Sequence, residues 1–516
     1  MRPLRSGTVF LLLPPLLFVG YFFLYPLVRM LWLAIGHASL SEMLQSSRFL
    51  GVVWFTLWQA IVSTLLTLLA ATPLTWAISR FNFPGKPLVR ALVTVPFVLP
   101  TVVVGAAFLS LIPRGLPAIL AAHVFYNVAV VVRTVSGVWS RIDPRIEEAG
   151  AVLGGGPLRV FRTVTLPLIR PAVLSAAAIV FLFCFTSFGT VLILGGGRLR
   201  TLEVEMYQQA VSFLDLPTAG ALSLIQLVSV LIVVIVSGRL QRTAATQVAL
   251  VAEASLPRPQ RGGMRTSVLL SVWLTVGALM LPLAALLAAS LRGGGAGWRS
   301  IVAGGVSATP PLEAVLNSFA YAAIATLIAV PVGGAAAAWL SQRRSAGWFD
   351  ALVMLPLGVS AVTIGLGFLI ALDRPLDLRG TWVLVPIAHA VVALPFVVRT
   401  TLPLLRSIRH ELREAAAVLG ASPARIFREI DLPIVARALA VGAGFAALVS
   451  LGEFGATAFV VRPSSTTVPA LIYRLLGRPG STSFSSAMAL AVILAVITTL
   501  LVLMIDRARS SRAEVF

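Results

Sequence analysis

The stretch from Glu148 to Pro167 reads EAGAVLGGGPLRVFRTVTLP, and it recurs as EAAAVLGASPARIFREIDLP from Glu414 to Pro433. Each copy keeps Glu-Ala, a Gly six residues after the Glu, a Phe seven residues after that Gly, and a final Leu-Pro. The pattern predicts a short helix, a glycine turn and a second helix. Two copies of one such motif indicate that the chain is an internal duplication.

The composition predicts an all-α polytopic membrane protein. Of the 516 residues, 58% are hydrophobic and 11% are charged, and the mean hydropathy is +0.96, which is too apolar for a soluble domain. A membrane-spanning helix needs ~20 apolar residues. About twelve such spans are predicted, at residues 8–35, 51–78, 88–112, 118–138, 172–195, 219–238, 267–291, 317–340, 350–372, 381–400, 437–461 and 483–504.

The positions of the arginines explain the net charge of +21 without a nucleic-acid partner. They concentrate in alternate loops, so that both copies of the repeated motif lie on one arginine-rich side of the membrane. The positive-inside rule makes that side the cytoplasm and places both termini there. A motif kept twice at the cytoplasmic face suggests two equivalent docking points for a cytosolic partner.

Several chemistries are excluded by the residues themselves. Lys86 is the only lysine, and no GxxxxGK[ST] surrounds it, so the chain cannot bind ATP through a P-loop. Cys184 is alone, and the four histidines lack a metal-ligand spacing. We therefore expect no catalytic residues, no metal and no cofactor, and any energy from ATP must come from a partner.

The duplication extends beyond the motif. A shift of 266 residues also pairs identical residues in the two halves, namely His123 with His389, Arg133 with Arg399, Phe188 with Phe454, and Gly189 with Gly455. About six spans per half give both halves the same polarity, which predicts parallel repeats about an axis along the membrane normal. The predicted division is a first half over 1–240, a cytoplasmic linker over 241–266 and a second half over 267–516.

The repeated stretch resembles the EAA signature of permease subunits of ATP-binding-cassette importers, and we call its two copies the EAA loops. In that family the short helix of the loop fits a groove on a cytoplasmic ATPase. The resemblance assigns ATPase coupling to Glu148, Ala149, Gly154, Phe161 and Pro167 and to Glu414, Ala415, Gly420, Phe427 and Pro433. The first loop departs from the family in having Gly150 where Ala is common. Its turn also contains Gly155 and Gly156, which make the backbone there more flexible than Ala421-Ser422-Pro423 in the second loop.

The fused arrangement of two six-span halves looks like the thiamine and ferric iron importer permeases. ILAAHVFYN from Ile119 and FLFCFTSFGTVLILGGG from Phe181, with Thr201-Leu202-Glu203 and Met206-Tyr207, are most similar to the thiamine type. SLGEFGATAFV from Ser450 instead resembles molybdate and sulfate permeases. The resemblance implies a prokaryotic plasma-membrane importer for thiamine or its phosphates, with ferric iron, molybdate or sulfate, and polyamines as alternatives. It also implies two ATPase copies, one external solute-binding protein and surrounding lipid as partners.

Glu453 lies inside the eleventh predicted span, where a charged residue costs ~2.5 to 3.5 kcal/mol on insertion scales. Its repeat mate is Ser187, so a substrate pathway that includes Glu453 and Ser187 is asymmetric, and one carboxylate suits a cation such as thiamine. Alternatively, Glu453 is protonated or hydrogen-bonded to a neighbouring helix. For His123 and His389 we expect packing or interfacial hydrogen bonds.

Two other classes of function can be compared with an importer permease. A secondary transporter explains the repeat and Glu453 but leaves the two EAA loops without a purpose. An intramembrane enzyme is disfavoured because the spans contain no metal cluster, no paired aspartates and no plausible Ser-His dyad.

Overall fold

The computed structural model describes residues 6–36, 45–244, 263–303, 309–343, 347–374, 377–407 and 410–510. In this part of the chain, ten helices are long and apolar enough to cross a membrane, and the number rises to twelve if each of two bent helix pairs counts as one span. The predicted all-α fold of about twelve spans is therefore confirmed. Most of the predicted linker, residues 245–262, lies outside the described residues.

The first half consists of helices α1 to α12. Their bounds are α1 Ser6–Val19, α2 Tyr25–Gly36, α3 Ser47–Arg80, α4 Lys86–Val98, α5 Thr101–Leu109, α6 Leu116–Trp139, α7 Pro144–Val152, α8 Pro157–Val160, α9 Leu166–Phe185, α10 Gly189–Leu194, α11 Leu202–Tyr207 and α12 Leu216–Ala244. A π-helical turn over Gly20–Leu24 joins α1 to α2, and another over Phe161–Thr165 joins α8 to α9.

The second half repeats this order, and a short helix, α14, lies between its first two long helices. Its helices are α13 Gly263–Ser290, α14 Ala296–Ala303, α15 Pro311–Ser341, α16 Gly347–Gly358, α17 Ala361–Ala371, α18 Leu384–Ser407, α19 His410–Val418, α20 Pro423–Ile426, α21 Leu432–Gly452, α22 Thr457–Val460, α23 Val468–Leu476 and α24 Ser481–Ser510. A π-helical turn over Phe427–Asp431 joins α20 to α21, at the position where the first half has its own turn between α8 and α9.

Two of the predicted spans, 88–112 and 350–372, are not continuous helices. Helices α4 and α5 meet at 97°, and so do their repeat mates α16 and α17. The first break is at Pro100, which has no N–H to continue a helix. At the second break, the Ser360 hydroxyl accepts a hydrogen bond from Val362 N at 3.1 Å and so caps α17.

The predicted spans 172–195 and 437–461 also end earlier than expected. Helix α9 ends at Phe185 and α21 at Gly452, and each is followed by a short separate helix, α10 or α22. Glu453 consequently lies in the non-helical break after α21 and not at the centre of a helix. Each half thus has a break after a long helix, at Phe185 in the first half and at Gly452 in the second.

The first span of each half packs on the opposite half. Helix α1 packs against α15, and α2 packs against α17, whereas α13 packs against α3 and α5. Each of these first spans also contacts the last helix of its own half, because α2 packs on α12 and α13 packs on α24. At one of these crossings the backbones approach closely, since a Cβ added at Gly367 lies 3.1 Å from Pro26 Cβ.

Candidate functional site

Each EAA loop contains a short helix that ends at a left-handed glycine, as the sequence predicts. Gly154 follows α7 and Gly420 follows α19, and both have a φ of 82°. Gly154 N donates a hydrogen bond to Ala151 O at 3.0 Å, and Gly420 N donates to Ala417 O at the same distance. The next residue in each loop donates to the carbonyl five residues earlier, which completes a Schellman cap. The two turns are therefore the same structure.

The other predicted coupling residues lie on this helix-turn-helix unit. Glu148 and Ala149 are exposed on α7, Glu414 and Ala415 are exposed on α19, and the prolines are exposed at the second residue of the following spans, as Pro167 in α9 and Pro433 in α21. The ring of Phe161 is half-buried, with its centroid 6.0 Å from that of Trp139. Phe427 begins the corresponding π-helical turn of the second loop.

Two large apolar side chains protrude at the end of each loop helix. Val152 and Leu153 are 87% and 88% exposed, and their repeat mates Val418 and Leu419 are 87% and 86% exposed. Apolar residues that are exposed together at a loop tip typically mark a contact with another protein. These four residues were missed in the sequence analysis, although Val-Leu precedes the glycine in both copies.

The first loop is anchored to the membrane-spanning part by an ion pair. The Arg80 guanidinium at the end of α3 pairs with the Glu147 carboxylate, which also accepts a hydrogen bond from Thr165 Oγ1 at 2.6 Å. The Arg80 guanidinium carbon lies 5.8 Å from the centroid of the Trp139 ring. In the second half, the sequence has Arg413 at the position that corresponds to Glu147. The two loops therefore share one turn, but the second has no carboxylate at the position that anchors the first.

A cavity of about 300 Å³ lies between the halves and is lined by both. The residues that follow the two long broken spans meet there, including Ser187 and Glu453, which were predicted to lie on one pathway. The backbone next to Ser187 is tightly packed against α5, because a Cβ added at Gly189 lies 2.5 Å from Thr101 Oγ1. A Cβ at the repeat mate, Gly455, lies 3.2 Å from the mate of Thr101, which is Ala361.

Two repeat-related histidines hold the cavity wall. His123 is 3% exposed, and its Nε2 and Nδ1 hydrogen-bond with Ser187 Oγ at 2.8 Å and Ser63 Oγ at 3.0 Å. His389 is 1% exposed and hydrogen-bonds with Ser450 Oγ at 2.7 Å and with Thr457 Oγ1 at 2.8 Å. These contacts agree with the packing role expected for both side chains.

The Glu453 carboxylate is buried and accepts several hydrogen bonds from its own half. Ala456 N donates to Oε1 at 2.8 Å, whereas Thr457 N and Thr457 Oγ1 donate to Oε2 at 2.9 and 2.6 Å. His389 Nε2 lies 3.4 Å from the same Oε2. The carboxylate thus stabilises the start of α22 while also lining the cavity. This geometry is compatible with the pathway role and with the alternative of a hydrogen-bonded structural group.

Four aromatic rings from the two halves meet at the axis that relates them. Phe188 and Phe454 stack with centroids 5.5 Å apart and planes at 24°, and both line the cavity. Tyr207 and Tyr473, which are also separated by 266 residues in the sequence, contact each other edge to face at 6.5 Å. Each tyrosine also lies 5.5 Å from the phenylalanine of its own half. The 266-residue shift between the two halves is the sequence signal for this tyrosine pair.

A second buried carboxylate, Glu203, lines the same cavity, and the sequence analysis gave it no role. It lies on the six-residue helix α11, outside all predicted spans. Among the described lining residues, the cavity has two carboxylates and one histidine, His123, but no arginine or lysine. The wall is therefore rich in hydrogen-bond acceptors and without a fixed positive charge.

Comparison with known families identifies the family to which a chain with this arrangement belongs. The family model of the binding-protein-dependent transport system inner membrane component matches residues 63–246 and again 329–511. The chain belongs to this family. Each match includes one EAA loop and one wall of the cavity, so the permease carries two copies of the family domain.

Individual relatives match almost the full length of the permease. The thiamine transport system permease protein of Brucella abortus (strain 2308) is 30% identical over 497 residues, which cover 90% of this chain and 89% of that protein. The proteins of the same name from Salmonella typhimurium and Escherichia coli K12 are 29% and 28% identical, over 87% and 84% of this chain. The protein is thus a multi-pass inner-membrane permease of an ATP-binding-cassette importer.

Proposed function

We propose that this permease carries thiamine or a phosphorylated form of it into the cytoplasm. The observation that carries the proposal is the cavity between the halves, whose described wall contains two buried carboxylates, aromatic rings and no arginine or lysine. Such a wall suits an organic cation, because carboxylates and aromatic faces both attract positive charge. Several relatives are named as thiamine transport permeases, which supports the same substrate.

Glu453 and Ser187 belong to the proposed pathway. Both line the cavity at equivalent positions of the two halves. Glu453 supports the wall through the hydrogen bonds that fix α22, and Ser187 does so through His123.

The two EAA loops support a symmetric assembly with ATPase subunits. Each loop presents the same glycine turn and the same pair of exposed apolar residues, so each half would dock one ATPase. The loops and both termini then lie in the cytoplasm, and one solute-binding protein delivers the substrate from outside. The ten proposed coupling residues of the EAA loops position these docking tips.

Molybdate or sulfate is the second candidate, since the segment from Ser450 to Val460 resembles permeases for those oxyanions. A buried carboxylate on the cavity wall opposes an anion electrostatically. Glu453 lines the cavity but is held by amide donors, so it alone does not discriminate between the two charges.

Reconstituted uptake tests the cargo, and native mass spectrometry tests the assembly. Proteoliposomes that contain the permease, its ATPase and its binding protein should accumulate labelled thiamine but not labelled molybdate. Molybdate uptake without thiamine uptake would overturn the cargo and leave the permease family unaffected. The purified complex should contain one copy of this chain and two ATPases, and a complex with two copies of this chain per ATPase pair would contradict the assembly.

A further inference from the structure

Resting on the proposed function, we propose that Glu203, on the short helix α11, supplies the carboxylate that recognises the positive charge of the transported organic cation. Glu203 is 2% exposed and lines the cavity between the halves.

The hydrogen bonds of Glu203 come from neutral groups in both halves. Gln226 Nε2, on α12, donates to Glu203 Oε1 at 2.6 Å. The Ser360 hydroxyl, at the start of α17 in the second half, lies close to the carboxylate. Among the described residues, no arginine, lysine or histidine forms an ion pair with Glu203. Burial raises the pKa of Glu203 to about 8, because an ionised carboxylate without a countercharge is costly in a buried site. A cationic substrate that enters the cavity supplies that countercharge and favours the ionised form.

Two other buried carboxylates, Glu205 and Glu453, do not share this arrangement. Glu205 is 0% exposed and is neutralised by Arg48 at 3.2 Å and by Arg200 at 3.1 Å. Glu453 is held by two backbone N–H groups and the Thr457 hydroxyl and lies close to His389. Of these three buried carboxylates, Glu203 has the fewest donors and lines the cavity, which makes it the group with most to gain from a cation.

The surroundings of Glu203 also suit a flat, nitrogen-rich cation. Tyr207 is four residues further along α11, on the same face of the helix as Glu203, and contacts the Phe188 ring that lines the cavity. Asn127 is 1% exposed and lines the cavity, and its Oδ1 has no donor among the described residues. The cavity therefore offers a carboxylate for a positive ring, an aromatic face, and an amide oxygen for an amino group.

The test separates charge recognition from a structural role by using a neutral analogue. Proteoliposomes with permease, ATPase and excess binding protein are supplied with labelled thiamine or with its 3-deaza analogue, in which a neutral thiophene replaces the thiazolium ring. Each variant's uptake is divided by wild-type uptake of the same compound, so the preference of the binding protein cancels. Glu203→Gln should lower thiamine uptake about tenfold and leave uptake of the neutral analogue nearly unchanged.

Two matched variants accompany Glu203→Gln. Glu203→Asp keeps the charge and should restore most of the thiamine uptake. Glu205→Gln removes a buried carboxylate from the same helix and should change the uptake of both compounds by the same factor. Equal losses of thiamine and analogue in Glu203→Gln, or unchanged thiamine uptake, would overturn the inference. Wild-type proteoliposomes that fail to take up thiamine would instead overturn the proposed cargo, and the inference with it.

If Glu203→Gln does not assemble with the ATPase, the wild-type complex provides the measurement. A hydrophobic carbodiimide labels buried carboxyl groups, and mass spectrometry identifies the labelled residue. Thiamine at saturating concentration should protect Glu203, and the neutral analogue should protect it much less. Equal protection by both compounds would contradict charge recognition at this residue.

Discussion

The EAA loops and the cavity walls are products of the same duplication, but the turns of the loops have stayed more alike than the charged groups around the cavity. Gly154 and Gly420 share one φ, one set of hydrogen bonds and one pair of exposed apolar neighbours. In the cavity, Ser187 corresponds to Glu453, and the position equivalent to Glu203 is Pro469. The aromatic rings at the axis and the two buried histidines remain symmetric.

This difference follows from what each region would contact. The two copies of one ATPase that we propose would present identical grooves, so each departure of one loop from the other would weaken one contact. A single substrate molecule is not symmetric, so its charge and its hydrogen-bond donors need groups on particular sides of the cavity. We therefore interpret the similarity of the two loops as a mark of partner contact. We interpret the unequal carboxylates of the two cavity walls as a mark of substrate contact.

Replacing the glycine of either turn with valine is the largest expected disruption of the symmetric region. The left-handed conformation costs a non-glycine residue roughly 1–2 kcal/mol, and more for a β-branched one, so uptake should fall about tenfold in Gly420→Val and in Gly154→Val. The protein should stay in the membrane, and ATP hydrolysis should continue without transport. Uptake and hydrolysis measured on the same proteoliposomes check this.

Gly156→Val is the matched control for the glycine turn. Gly156 has a φ of −63°, and nothing lies within 4 Å of a Cβ added there. Normal uptake by Gly420→Val would remove the turn from the coupling mechanism, whereas an equal loss in Gly156→Val would indicate a general sensitivity of the loop.

Replacing one apolar tip with aspartate should weaken docking of the ATPase on that half. Burying a leucine side chain contributes about 1.5–3 kcal/mol, so Leu153→Asp or Leu419→Asp should lower affinity for the ATPase by about tenfold to a hundredfold. Affinity is measured by titrating purified ATPase onto the permease in nanodiscs. Leu214→Asp changes another exposed leucine, 79% exposed outside both EAA loops, and should leave affinity unchanged.

The comparison predicts similar losses from the two tip variants. A loss confined to Leu153→Asp would show that the Arg80–Glu147 anchor makes the first loop the dominant contact. A loss confined to Leu419→Asp would give that role to the second loop.

In the asymmetric region, Glu453→Gln should lower thiamine uptake about fivefold without abolishing assembly, because hydrogen bonds to a charged group contribute about 1.5–3 kcal/mol and glutamine retains part of them. The loss should be similar for the neutral thiamine analogue, since Glu453 acts through the position of α22. Ser187→Ala removes one hydrogen bond, that with His123, and should have a smaller effect. Disassembly of Glu453→Gln would assign this carboxylate to folding alone.

The smallest effect is expected where the first loop departs from its family. A Cβ added at Gly150 lies 3.5 Å from methyl groups of Val160 and Val164, which is ordinary contact. Since alanine is a better helix former than glycine by about 1 kcal/mol, Gly150→Ala should keep uptake within about twofold of wild type and raise thermal stability slightly. A severe loss would show that the two loops are less alike than their turns.

Gly155 behaves differently, although its mate is Ala421. A Cβ there lies 2.8 Å from Gly150 O, so Gly155→Ala should be tolerated less well than Gly150→Ala in a thermal-shift measurement. If Gly155→Ala instead matches Gly150→Ala, the first turn has room to relax toward the second.

The repeat, the number of spans and the glycine turns could be predicted from sequence because each depends on local patterns. The first 97° break has a local cause in Pro100, but its repeat mate at Ser360 has no proline and could not be predicted, since apolar residues continue through both breaks. Glu453 was predicted to be helical for the same reason. Glu203 was missed because α11 is too short to give a periodic signal and lies outside the spans. Its placement depends on contacts with α12, the next helix, and with α17, which is distant in the chain.

The crossing of α1 and α2 onto the second half has a consequence for biosynthesis. The ribosome delivers these helices first, but α15 and α17, on which they pack, enter the membrane only after the whole first half and the linker have been made. The contacts of α1 with α15 and of α2 with α17 therefore form only after the second half has been inserted into the membrane. A chain that ends in the linker lacks α15 and α17, so α1 and α2 keep only their contacts within the first half. We expect membrane proteases to degrade such truncated chains more readily.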